Sequence, residues 1–142
     1  MFDYLNTYLD RAATISEKTA WFQVINRDVQ FEIIRLNTDD QLYEEGIDSL
    51  GNGIGDYSET SVNVYGKTAG HITLKDTGAF YQSFVVKVNS NGIMIVANDV
   101  KDDTVLTDRY GIDILGLTEE NLEVIRNMLK TNYINYIYEV LQ

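Results

Sequence analysis

The sequence predicts an α+β fold: an antiparallel β-sheet centred on an 84–97 hairpin, packed by N-terminal helices and a long C-terminal helix over about 118–141. Three observations predict it. Apolar residues recur at helical spacing through the first 36 positions, two β-rich apolar runs flank Asn91-Gly92, and an apolar stripe continues from Leu122 to Val140. With 142 residues, 44% of them apolar and 23% charged, the chain reads as one domain over 1–142 with enough apolar surface for a core. Within it, 1–35 is a helical segment and 36–142 the α+β core.

The elements follow in order. Phe2, Leu5, Leu9 and Ala12 suit a short first helix. Ser16 is positioned to cap a second, with Glu17 in its first turn. Ile15, Phe22, Ile25, Val29, Ile33 and Leu36 mark its face, although Val29–Ile33 also alternates as a strand would. Thr38 with Gln41 has the spacing of a capping box and predicts a short helix ending at Gly46. Residues 46–57 hold four of the ten glycines and predict a tight hairpin or looped turn between Ile47 and Ile54; residues 58–73 read as a polar loop. The turn at Asn91-Gly92 predicts pairing of Val88 with Ile95 and Val86 with Ala97. Phe84, Val86, Val88, Ile93 and Ile95 then share one face that needs a cover. Thr118, followed by Glu119 and Glu120, starts the helix that supplies it. Val124, Met128, Ile134, Ile137 and Leu141 widen that helix's apolar face beyond one stripe, which points toward subunit contact.

The net charge is −11, from 11 basic and 22 acidic residues. A chain this acidic is poorly suited to gripping nucleic-acid phosphate. The charge concentrates in 37–60, with seven acids and no base, and in 99–123, with eight acids and two bases. Two readings are open: solvated loops, or surfaces that meet basic partners. With no cysteine, disulfides, thiolate metal sites and cysteine nucleophiles are excluded. No apolar run reaches the length needed to span a bilayer, and the first residues lack a basic region leading into an apolar one, so synthesis in a cytosol is expected.

The search for catalytic chemistry turns up little. His71 is the one histidine, with no nucleophile–acid pattern around it, and is expected as an exposed loop residue. Asp48, Asn52 and Asp56 lack the spacing of a calcium loop and fit a hairpin turn better. Gly51-Asn52-Gly53-Ile54-Gly55 neither follows a strand nor opens a helix, so it is not a dinucleotide fingerprint. No catalytic residue, metal ligand or cofactor is expected.

Three segments in order carry a resemblance: 41–58 (QLYEEGIDSLGNGIGDYS), 73–84 (TLKDTGAFYQSF) and 110–121 (YGIDILGLTEEN). Together they resemble small neck proteins of tailed bacteriophages, in the virion-morphogenesis, head–tail joining or tail-completion group, as found in crAss-like and other Bacteroidales phages. The resemblance covers about 36–142, and its signature is Leu74, Thr77, Gly78 and Ser83, with Phe80 and Phe84 beside them. Thr77 is positioned to cap the turn 78–83, and Leu74 with Phe80 to staple it to the sheet. In the loop 58–73 the chain departs from its relatives, carrying Lys67 as its one lysine.

The resemblance implies a structural virion protein rather than an enzyme. It would form a ring of six or twelve copies in the neck, against the portal or an adjacent adaptor ring and tail proteins. DNA would pass through the channel without sequence-specific binding, and no membrane is involved. The acidic segment 101–116 is the expected subunit contact, with Asp102, Asp103, Arg109, Tyr110 and Asp113 as its candidates. The alternative from a different class is an acidic DNA mimic that occupies the basic groove of a host DNA-binding enzyme.

Overall fold

A computed structural model of the chain describes residues 7, 9–11, 17–58, 63, 70–89 and 92–142, without the side chains of 17–19. Residues 7 and 9–11 are helical, and the Arg11 guanidinium donates to the Leu141 carbonyl at 3.2 Å. The first full elements are α1 (Glu17–Val24) and α2 (Arg27–Arg35). Asn26 separates them: its extended backbone breaks the helix, and its side chain accepts from the Val29 amide as the cap of α2. The predicted cap Ser16 lies outside the described residues. Ile25, Val29, Ile33 and Leu36 are buried as the helical face requires, and the alternating stretch at 29–33 is helical. Phe22 departs from the predicted face and is 51% exposed, because the break at Asn26 resets the helical phase.

No new helix starts at Thr38. The chain continues from α2 into a π-helix, Leu36–Glu45, so the Thr38 hydroxyl bonds back to the Ile34 carbonyl instead of capping. The π-helix stops at Gly46, whose φ of +65° is the left-handed conformation that suits glycine at a helix end. The predicted hairpin follows, with Ile47 bridged antiparallel to Gly53 and the Ile54 amide donating to the Gly46 carbonyl.

Three motif residues shape the next turn. Helix α3 (Ala79–Gln82) has Gly78, at φ +87°, as its N-cap. Thr77, the predicted cap, lies one residue before that N-cap, its hydroxyl accepting from the Ala79 amide at 3.3 Å. The Ser83 hydroxyl donates to Phe80 and accepts from the Asn98 amide, which ties this turn to the end of the hairpin.

Strands β1 (Val85–Asn89) and β2 (Gly92–Val96) pair antiparallel. Val88 faces Ile93 and Val86 faces Ile95, two residues from the predicted register. Positions 90 and 91 separate the paired ends and lie outside the described residues. A slip of two preserves the alternation of faces, so the apolar pattern is equally satisfied by both registers. A second, minimal sheet joins β3 (Val100–Lys101) to β4 (Thr104–Val105), followed by α4 (Leu106–Tyr110), a 3-10 turn Ile112–Ile114, and α5 (Glu119–Leu141). Thr118 caps α5 as predicted, accepting from the Asn121 amide.

Two apolar clusters hold these elements. The first joins Ile25, Val29, Ile33 and Leu36 to Val86, Leu117 and Ile125, so the N-terminal helices and α5 cover the hairpin's inner face. The second gathers Leu42, Phe80, Tyr81, Phe84, Leu106 and Ile114. Ile34 and Ile95 pack against both, making the two clusters one continuous core.

Candidate functional site

The three segments that carry the phage-neck resemblance converge on the second cluster. Leu42 comes from the first, Phe80, Tyr81 and Phe84 from the second, and Ile114 from the third. Phe80 and Phe84 meet edge to face at 5.0 Å, a favourable aromatic geometry. Leu74 packs against the same cluster, as the predicted staple to Phe80 requires, with its backbone at φ +60°.

Two amides lock the π-helix, which leads into the first segment, to the third. Asn37 and Gln41 are both fully buried. The Asn37 side chain donates to the Ile114 carbonyl at 2.9 Å and accepts from the Gly116 amide at 2.8 Å. Gln41 donates to the Gly116 carbonyl and accepts from the Thr118 amide, both at 2.9 Å, and from Asn121 at 2.8 Å. The pair pins residues 114–118 as a neighbouring strand would. Gly116 fits because a Cβ there would sit 3.0 Å from that of Ser49, whose own amide donates to the Asp113 carbonyl. These two amides were hidden in the sequence by the Thr38–Gln41 capping pattern. The available signal was two amides four apart between the apolar Leu36 and Leu42.

The same bonds bring the two acidic segments together, and several of their acids hold the fold internally. Asp48 is buried, and one carboxylate oxygen accepts from the Leu50 and Asn52 amides, so it closes the glycine hairpin. Asp99 accepts from the Thr107 hydroxyl. His71 is half-buried rather than exposed: its ring packs on Gly46, and Nε2 lies 2.6 Å from the Tyr43 carbonyl at the end of the π-helix. That bond engages the ring in closing a helix end.

The candidate contact residues separate into groups. Asp102, Arg109 and Tyr110 line one recess of about 210 Å³ together with Leu74, Asp76 and Lys101. Leu74, Asp76 and Lys101 also line a smaller recess with Thr77, Gly78 and Phe80. Motif and candidate contact are therefore spatial neighbours, joined by the 2.7 Å Lys101–Asp76 ion pair. Arg109 stacks over the Tyr110 ring. Asp103 is exposed at the β3–β4 turn, and Asp113 lies apart, half-buried beside Ser49.

The phenol of Tyr81 donates to the Thr73 carbonyl, and burial, then the charge of Asp39, pushes its ionisation well above the ordinary value. It stays a neutral donor. The Arg35 guanidinium holds the Glu32 carboxyl below its ordinary value through their 2.6 Å bond. Among the described residues no cluster of three acidic or histidine side chains is placed to hold a metal ion, and no helix is long and apolar enough to cross a membrane. Comparison of the chain with protein-family models, with curated proteins and with solved structures finds no match in any of the three.

Proposed function

We propose that the chain is a structural protein of the phage neck, a ring component that joins portal to tail around the DNA channel. The observation that carries this reading is the convergence of the three resembling segments on one core, with Asn37 and Gln41 as their fasteners. The resemblance thus falls on residues that pack into one core, which is what a structural component has to preserve.

The outer face of α5 supports association. Val124, Ile134 and Tyr138 are 42%, 47% and 65% exposed. At about 100° per residue they fall within an arc of about 80°, and Tyr133, 47% exposed, lies about 100° outside it. Apolar groups gathered on one side of a long helix favour burial against another chain. A ring closes by heterologous contacts that repeat through rotation, and the charged recess around Asp76, Lys101 and Arg109 is suited to setting register in such a contact.

Quantitative mass spectrometry of purified particles from the phage that encodes the chain tests the reading. The expected result is six or twelve copies per particle, located at the neck by cryo-EM reconstruction. Absence from the particles overturns it. Absence combined with tight binding to a basic host enzyme, competed by DNA, favours the DNA-mimic alternative.

A further inference from the structure

Strand β2 pairs with β1 on one side and, among the described residues, with no strand on the other. Alternate N–H and C=O groups along that outer edge are therefore open to pairing. A groove of about 590 Å³ runs beside it. Its lining includes all five consecutive residues 93–97. Side chains alternate between the faces of a strand, so a recess lined by five in succession lies along the edge of β2 and its extension rather than on one face. Ile112, Leu115, Leu117 and Leu122 form the opposite wall, and Ile112 is 67% exposed.

The groove continues into a second recess of about 420 Å³, with which it shares Ser49, Leu117 and Leu122. Asp99 lines the first and Glu119 the second, and no lysine or arginine is found among the described residues lining either. We infer that the open edge of β2 and this groove form a docking site for an extended, basic-ended segment of a partner protein, bound by strand addition. Main-chain bonds to the edge supply affinity, and the apolar walls take alternate side chains. The charge selects the occupant. Arg126 pairs with Glu119 at 2.5 Å and with Glu123 at 3.3 Å, but Glu119, Glu120 and Glu123 outnumber that one arginine, so with Asp99 at the other end the rim stays acidic and terminal lysines or arginines complement it. The site is argued from the edge, the walls and the rim, and it holds whether or not the chain belongs to a neck.

The test uses the full chain and a short synthetic peptide alternating valine and threonine between paired lysines, with a glutamate-ended twin as control. The lysine-ended peptide is expected to bind at least about tenfold tighter than its twin. It is also expected to slow amide exchange along 93–96. N-methylation of alternate peptide amides abolishes that protection, and the Asp99→Asn, Glu119→Gln double variant removes the preference between the peptides. Ile112→Glu, on an exposed wall position, weakens binding without lowering the thermal midpoint. The proposal is overturned by no binding, by equal binding of the two peptides, or by binding that leaves 93–96 unprotected. Concentration-dependent self-association that protects the same amides also overturns it, in favour of a second copy as the occupant.

Discussion

Gln41 shows at the scale of one residue why this fold is specific. Its amide satisfies a carbonyl, a backbone amide and a side-chain amide at once, in a place without exposure. Replacing it with leucine keeps the volume and strands the Gly116 carbonyl and the Thr118 amide. A buried polar group left unsatisfied costs about 1–3 kcal/mol, so Gln41→Leu is expected to lower unfolding stability by about 2–4 kcal/mol in urea titrations. Wild-type stability in Gln41→Leu would refute the fastening role. Glu32 makes the opposite case. Its bond to Arg35 is short, but the two side chains are 27% and 47% exposed, so solvent screens the pair and Glu32→Gln is expected to cost no more than about 0.5 kcal/mol at neutral pH. Arg35 holds the folded-state ionisation of Glu32 below its unfolded value, so the contribution is complete above the ordinary carboxylate value of about 4.3. It fades as pH falls through the lower folded value. The stability difference between wild type and Glu32→Gln, followed by urea midpoint against pH, should therefore shrink on acidification; a difference that grows would reverse the assigned sign.

Helix boundaries show what was legible at the scale of elements. Asn26 and Thr118 each accept from the amide three residues on, and each is expected to lose about 1 kcal/mol on substitution by alanine. Denaturant midpoints should fall while the slopes stay unchanged, and a changed slope would point to a wider disruption than a lost cap. Thr118 and the stop at Gly46 were readable because their chemistry is local: a hydroxyl with acids behind it, and a glycine after a helical run. The cap at Thr77 was readable for the same reason, since its hydroxyl acts two residues on, whereas the bond from the Asn98 amide to Ser83 spans fifteen residues and was not. The rest depended on contacts distant in sequence. Whether Thr38 caps a helix or lies inside one depends on Asn37 and Gln41 finding partners more than seventy residues away. The hairpin register was ambiguous because a slip of two leaves every apolar residue on its own face.

At the scale of the whole molecule, the same amides that complete the core bring the two acidic segments into one unit, while α5 directs apolar groups away from it. Core and outward face are separable: Ile125 is 2% exposed on α5, whereas Ile134 and Tyr138 on the same helix are 47% and 65% exposed. The proposed assembly uses the second set. Ile134→Asp with Tyr138→Asp is expected to leave the isolated chain within about 0.5 kcal/mol of wild-type stability, as substitutions away from buried features do. The same variant should fail to enter particles when it replaces the wild-type gene, because a charge pair in a contact between chains is desolvated without partners. Gly78→Val supplies the contrasting control. Its φ of +87° strains any side chain, so this variant should lose thermal stability before assembly is reached. Both measurements are needed: particles depleted of a stable Ile134→Asp, Tyr138→Asp chain place the contact on α5, and normal incorporation of that chain removes α5 from the interface.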